Sequence, residues 1–272
     1  MNQQTPPAHD ANERGPLPPA AGYLVGQRRS NASARPTGGT SAAQGVNWRK
    51  AALRFVLYLL LTPASLFLAA GRLDWGWAWG YVGMLFAVTA ISRLIVLRRN
   101  PELLAERARS LEAGDVKGWD RLLVPLGAVL GPLAMCVVAG LDLRFGWSAG
   151  LPLAVHLAGT ALVALGFGLG TWAMVANPFF SAVVRIQKDR GHAVATGGPY
   201  RLVRHPAYAG AVLGYLASPL MLGSWWALIP AALASVTVFI RTALEDRTLH
   251  EELPGYAEYA QRTPYRLLPG VW

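Results

Sequence analysis

Residues 208–240 read YAGAVLGYLASPLMLGSWWALIPAALASVTVFI, which is 33 residues without a charged side chain. As one helix, at 1.5 Å per residue, this run would extend about 50 Å. That is too long for one crossing of a bilayer core and too short for two full ones, since each crossing takes about 20 residues. Pro219, Gly223 and Ser224 lie near its middle, with Trp225 and Trp226 following. The segment is therefore predicted to be a hairpin of two short helices whose turn sits at a membrane interface.

Four further stretches upstream have the length and apolarity of a crossing. Ala51–Ala70 carries only Arg54 and Trp77–Leu97 only Arg93, whereas Leu122–Leu141 and Gly150–Ala176 carry no charge. Arg54 and Arg93 lie near the ends of their stretches, where a long side chain can reach the headgroups. With the hairpin, this predicts an all-α integral membrane protein of about six transmembrane helices. Composition agrees, because 53% of the 272 residues are hydrophobic and only 15% are charged, against about a quarter charged in soluble proteins.

Charge distribution orients the bundle. With the N-terminus inside, segments 1–54, 93–121, 185–204 and 241–272 hold 23 of the 25 Lys and Arg residues, and the outer turns hold Arg72 and Arg144 alone. The positive-inside rule then predicts a multi-pass protein with both termini cytosolic. The net charge of +10 is explained by this topology and by contact with anionic lipid, so no nucleic-acid partner is expected. Cys136 is the single cysteine, which excludes an internal disulfide and a multi-cysteine metal site.

Three regions are expected. Residues 1–46, rich in Pro, Gly, Ala, Ser and Gln, read as a disordered cytosolic tail. Residues 47–176 hold four spans and an amphipathic helix on the inner surface near 101–123, where Leu103, Leu104, Ala108 and Leu111 recur at helical spacing among charges. Residues 177–272 contain a polar loop, the hairpin and a C-terminal catalytic segment that folds back as a cytosolic cap.

Chemistry is expected in the last region. From Val184 to Gly210 the chain reads VRIQKDRGHAVATGGPYRLVRHPAYAG, placing glycines that permit close backbone approach beside His and Arg donors suited to a carboxylate or phosphate. Residues touching only lipid headgroups would share this composition. Beyond the hairpin, Arg241 and Glu245 share a helix face at i, i+4, with Asp246 adjacent. A surface ion pair would look the same, but both groups flank one hairpin on one side of the membrane and can close on one pocket.

The combination GGPYRLVRHPAYAG, an apolar hairpin and then RTALEDRTLHEELPGYAEYAQRTPYRLLPGVW resembles the isoprenylcysteine carboxyl methyltransferase family of membrane enzymes and its phospholipid N-methyltransferase relatives. The resemblance covers about residues 177–272 and implies S-adenosyl-L-methionine as methyl donor. It implies donor contacts at Gln187, His192, Ala193, Val194, Ala195, Tyr200, Arg204, His205, Pro206, Ala207, Tyr208 and Glu245. It also implies a substrate-orienting role for Arg241, with Asp246 in the position of the family's second glutamate, and Leu253-Pro254 in place of the usual Phe-Gly. His205 or Arg204 would meet the donor carboxylate and Glu245 its ammonium, while Tyr200 or Tyr208 offers an aromatic face to the sulfonium or adenine. No metal is implied.

The expected activity is S-adenosylmethionine-dependent methylation of a lipophilic or lipid-modified acceptor, by resemblance an isoprenylcysteine-type carboxyl O-methylation. The alternatives are phospholipid or amine N-methylation, with Glu245 or Asp246 as base, a nicotinamide-dependent membrane reductase, and a non-catalytic membrane protein. A reductase would call for a second arginine cluster for a 2′-phosphate, and a transporter for internal repeats or charges deep in the spans.

Overall fold

The computed structural model describes residues 48–109 and 116–272, and these build an all-α integral membrane fold. The expected tail, 1–46, and Leu111 of the expected surface helix lie outside the described residues. In chain order the helices are α1 (Trp48–Ala70), α2 (Gly76–Arg99), α3 (Pro101–Arg109), α4 (Asp120–Phe145), α5 (Leu153–Ala176), α6 (Pro206–Leu222), α7 (Leu228–Glu252) and α8 (Tyr256–Arg262). Five of them, α1, α2, α4, α5 and α7, are long and apolar enough to cross a membrane, and α6 is a shorter apolar helix of 17 residues. Outward-facing aliphatic side chains such as Leu68 and Leu233, 78% and 65% exposed, have a favourable solvent only in lipid.

The hairpin differs from expectation in its second arm. Its turn forms where the glycine permits, with Gly223 at φ +83° ending α6 and the Ser224 amide donating to Pro219 O. However, α7 does not stop where the charges begin. It continues for twelve residues beyond Ile240, so Arg241, Glu245 and Asp246 project from the same rigid helix that crosses the membrane. Among the described residues the expected surface helix appears as α3, Pro101–Arg109; it does not run on to 123, since Val116 and Lys117 are not helical and Leu122 and Leu123 belong to α4.

Glycines set how closely the hairpin packs. Gly166 and Gly170 of α5 face Gly210 and Gly214 of α6 so tightly that a Cβ on Gly166 would lie 2.6 Å from Gly210 O, and one on Gly210 2.5 Å from Gly166 O. Small residues four apart on facing helices permit this backbone contact in membranes, where apolarity alone does not drive helices together. At the turn end, Asp142 is buried and accepts bonds from the Ser148 amide and hydroxyl, both at 2.7 Å, and from the Ser224 hydroxyl. It thereby joins the α4–α5 and α6–α7 connections. Trp79, Trp147, Trp225 and Trp226 are half-exposed at this same end, as expected for an interfacial aromatic belt.

Within α4 the backbone widens to a π-helical turn over Leu126–Leu130, where the Gly131 amide bonds back to Leu126 O. Pro132 follows and lacks the N–H that would bond to Ala128 O in a regular α-helix. Such turns recur at functional sites, and here Gly127, Ala128 and Pro132 line the cavity described next.

Candidate functional site

Between the spans and the loop 177–205 lies a cavity of about 550 Å³, within the range of ligand sites. One part of its wall is apolar, with Leu85 and Val88 from α2, Leu123 and Val124 from α4, and Phe167 from α5. The other part is polar and contains His192, Tyr200, His205, Tyr208, Arg241 and Glu245.

Local bonding in the loop explains how the polar wall is built. Gln187 is fully buried. Its side chain donates to Phe179 O at 2.7 Å and accepts from Arg190, while its amide donates to His192 Nδ1 at 3.3 Å. Gln187 therefore shapes the turn from behind and does not reach the cavity. The His192 amide returns a bond to Gln187 O, and its ring packs on Phe179 at 4.8 Å between centroids. Burial, together with Arg190 and Arg185, pushes the His192 pKa down to about 4. The imidazole is thus neutral near pH 7, and because Nδ1 accepts, Nε2 carries the proton. The next residues, Ala193, Val194 and Ala195, line the cavity, and among the described residues their amides make no backbone hydrogen bond. Three donors beside the cavity are thus left for water or a ligand.

A buried ion cluster seals the loop against α7. Arg204 Nε and Nη2 bind Asp246 Oδ1 and Oδ2 at 2.8 and 3.0 Å, and its Nη1 donates to Thr263 O and Pro264 O. Asp246 also accepts from Arg266 and from the Tyr256 hydroxyl, each at 2.8 Å, and lies 3.2 Å from His205 Nε2. Although burial opposes it, the bonds to Asp246 raise the Arg204 pKa. Burial and then Asp246 push the Tyr256 hydroxyl above its ordinary value, and burial takes Tyr259 up to about 12. These tyrosines are neutral hydrogen-bonding groups. Tyr259 donates to Tyr200 O at 2.7 Å, and the Arg204 and His205 amides donate to Tyr265 O and Arg266 O. The C-terminal segment is thus clamped over the loop.

The expected residues consequently divide into two groups. His192, Ala193, Val194, Ala195, Tyr200, Arg204, His205, Ala207, Tyr208, Arg241 and Glu245 all line the one cavity. Gln187, Pro206 and Asp246 do not; Pro206 is the buried first residue of α6, and the carboxylate of Asp246 is fully engaged in the clamp. The guanidinium of Arg204 is also spent there, although the residue touches the cavity.

Arg241 and Glu245 retain open valences. Arg241 Nε and Nη2 bind Asp120 Oδ1 and Oδ2 at 2.6 and 3.1 Å, Nη2 also reaches Ala182 O at 2.9 Å, and the guanidinium lies 5.2 Å from the centre of the Tyr208 ring. Its Nη1 makes no hydrogen bond among the described residues. Glu245 Oε2 accepts the Tyr208 hydroxyl, and Oε1 is left without a hydrogen-bond partner among the described residues. Tyr208 in turn stacks on His205, the ring planes 8° apart.

Asp120 is the functional neighbour that the sequence reading missed. It is completely buried and, besides holding Arg241, accepts the Val184 amide at 2.6 Å. Its signal was present: an acid two residues before the uncharged run that starts at Leu122 falls in the first turn of a span, where the helix dipole favours it.

Residues 154–254 match the phospholipid methyltransferase family. Among curated proteins, the cobalt-zinc-cadmium resistance protein CzcN of Cupriavidus metallidurans is 40% identical over 82 residues, 29% of this chain and 37% of that protein. The protein-S-isoprenylcysteine O-methyltransferase B of Arabidopsis thaliana is 29% identical over 114 residues, 39% of this chain and 55% of that protein. The matched segments thus span about half or less of these relatives. The family segment runs from the start of α5 through the glycine-packed α5–α6 pair and the loop to the end of α7, and so contains the polar wall of the cavity. In this segment the protein is similar to the phospholipid methyltransferase family and to an isoprenylcysteine O-methyltransferase.

Proposed function

We propose that this protein is an S-adenosylmethionine-dependent membrane methyltransferase acting on a lipophilic acceptor, by resemblance an isoprenylcysteine-type carboxyl O-methyltransferase. The observation that carries this reading is the convergence on one cavity of three ligand-ready groups: the amides of Ala193–Ala195, the open oxygen of Glu245 and the open nitrogen of Arg241. The apolar wall supplied by α2, α4 and α5 suits the lipophilic part of an acceptor. We also read residues 1–46 as a cytosolic tail, 47–176 as the acceptor-facing spans and 177–272 as the donor-binding and catalytic part, with both termini cytosolic.

The residues present fit the donor. Glu245 Oε1 answers its ammonium, the row of amides and the His192 Nε2–H answer its carboxylate, and the Tyr208 and His205 rings offer faces for its cationic sulfur and adenine. When bound, S-adenosylmethionine supplies a methyl group on a positively charged sulfur that leaves as a neutral thioether. What the protein must add is alignment and dryness. Asp120 fixes the Arg241 fork through two bonds, so its remaining N–H can hold an anionic acceptor in line without loss of side-chain entropy at the moment of reaction. The clamp of Arg204, Asp246 and Tyr256 keeps the loop closed over the cavity and excludes water. A carboxylate acceptor is already nucleophilic and needs no base. An amine acceptor would need one, and Glu245 is the carboxylate in the cavity wall.

The direct test is transfer of a labelled methyl group from S-adenosylmethionine to detergent extracts of membranes by the purified protein. Label should appear in the organic-soluble fraction. An ester product releases methanol on mild base, whereas an N-methyl product does not, and no transfer to the extracts contradicts the proposal.

A further inference from the structure

Residues 264–272 read PYRLLPGVW and come shortly after α8. Pro269 followed by Gly270 at φ +80° is the pair that a type II turn requires, and the Val271 amide closes the turn on Leu268 O at 3.1 Å. The chain thereby doubles back into a hook. The amides of Arg266, Leu267 and Leu268 all donate to Trp272 O, at 2.9, 2.9 and 3.1 Å, and the Arg266 guanidinium lies 5.0 Å from the centre of the Trp272 ring.

The hook touches the lipid-facing side of α7. Trp272 packs on Phe239 with 5.6 Å between ring centres, and Phe239 belongs to the uncharged run that ends at Ile240, directly before Arg241. Leu233, Val236 and Ile240 of the same run are exposed aliphatic side chains. Trp272 therefore lies where the hydrocarbon region gives way to the polar boundary, the depth at which tryptophan is favoured. Next to it, Leu268 and Val271 are 53% and 77% exposed. On α8 the exposed residues include Glu258, Gln261 and Arg262, so the outward face of the chain changes from polar to aliphatic as it reaches this boundary. Aliphatic side chains beside an interfacial tryptophan and an arginine suit a segment seated in a leaflet, and in water they would form an unfavourable patch.

The hook is also built into the cavity wall. Tyr265 O and Arg266 O accept the amides of Arg204 and His205, each at 2.9 Å, and Arg266 Nε donates to Asp246 Oδ2 at 2.8 Å. His205 lines the cavity. Short, direct bonds thus run from the exposed aliphatic tip, through Arg266, to the loop residue that faces the cavity.

We propose that residues 264–272 are a membrane-interface anchor: Leu268, Val271 and Trp272 insert into the leaflet at the loop end of the bundle, and their seating there holds the His205 side of the cavity wall closed. The partner is the bilayer itself, continuous with the lipid-facing surface of α7 that Trp272 already touches. This inference goes beyond the methyltransferase reading and holds whatever the cavity binds.

The test uses the full-length protein in phosphatidylcholine nanodiscs, with a nitroxide attached in turn to Leu268→Cys, Val271→Cys, Leu233→Cys and Glu258→Cys. Wild-type protein taken through the same labelling sets the background from the buried Cys136. Collision with oxygen, which concentrates in lipid, and with a nickel chelate, which stays in water, reports the surroundings of each label. The labels at 268 and 271 should favour oxygen as the label at 233 does, and the label at 258 should favour the chelate. The link to the loop is read by hydrogen exchange in the same nanodiscs, using the double variant Leu268→Asp, Val271→Asp. Its Arg204 and His205 amides should exchange at least about tenfold faster than in the wild type, because an unseated hook opens their bonds to Tyr265 O and Arg266 O more often. Labels at 268 and 271 that behave like the one at 258, or wild-type exchange of these amides in the folded double variant, overturn the proposal.

Discussion

Arg241 and Asp120 are joined by two hydrogen bonds, 2.6 and 3.1 Å long, between the second arm of the hairpin and the first turn of the third long span. Because Asp120 also accepts the Val184 amide, one carboxylate positions a span, the loop and the arginine that faces the cavity. Removing one partner of a buried pair costs about 3–5 kcal/mol, since the other charge is left uncompensated. Asp120→Ala is therefore expected to lower the unfolding temperature in detergent and to abolish turnover. Asp120→Asn, which retains one acceptor oxygen, should stay folded and lose at least about tenfold in turnover while S-adenosylhomocysteine affinity changes little.

Adjacent acids on α7 should behave in opposite ways. Asp246 is enclosed by Arg204, Arg266, Tyr256 and His205, so Asp246→Asn is expected to loosen the clamp and lower the unfolding temperature before any effect on binding is measured. Glu245→Gln keeps an acceptor for Tyr208 and should leave the unfolding temperature nearly unchanged. A Glu245 variant that unfolds as readily as the Asp246 variant would assign Glu245 to the scaffold.

His192 gives the protein an acid-side stability dependence. Folded, it stays neutral down to about pH 4, whereas in the unfolded chain it takes up a proton near pH 6.5. The unfolded state therefore binds more protons between these values, and stability falls as pH drops from about 6.5 towards 4. His192→Gln, which cannot titrate, should show a shallower loss of unfolding temperature across this window than the wild type. Identical slopes would show that His192 is not held neutral in the folded protein.

The contact between α5 and α6 tolerates no side chain. A Cβ at position 210 would lie 2.5 Å from Gly166 O, so Gly210→Val should force the hairpin away from α5 and cost several kcal/mol, as overpacking does at a close backbone contact. Gly168, with nothing within 4 Å of an added Cβ, should accept alanine with no measurable change in unfolding temperature. Equal effects at the two positions would contradict the packing described here.

Much of this architecture was legible because lipid imposes simple rules. Apolar runs of the right length became α1, α2, α4 and α5, and Gly223 with Ser224 became the hairpin turn. The extent of α7 was only partly legible. The i, i+4 spacing of Arg241 and Glu245 pointed to a helix beyond the apolar run, whereas its continuation to Glu252 rests on Arg241 and Asp246 finding their counter-ions within the protein. Asp120, Asp142 and Glu106 escaped notice because sequence treats an acid as solvated, whereas each is buried against partners 64 to 121 residues away, Asp142 also against Ser148. The π-helical turn was hidden because it depends on one missing amide, that of Pro132. In the candidate site, the motif spacing brought eleven of the expected residues to one cavity, and it could not separate those that face it from Gln187 and Asp246, which hold the wall from behind.

The central claim is that the cavity bounded by His192–Ala195, Tyr208, Arg241 and Glu245 takes the methyl donor. Calorimetric titration of the purified protein with S-adenosylhomocysteine tests it most directly, with Glu245→Gln as the paired sample. The expected result is saturable binding by the wild type and an affinity about ten- to a hundredfold weaker in the variant, the loss of one charged hydrogen bond. Absence of binding to folded wild-type protein, or equal affinity in the two, would contradict the account.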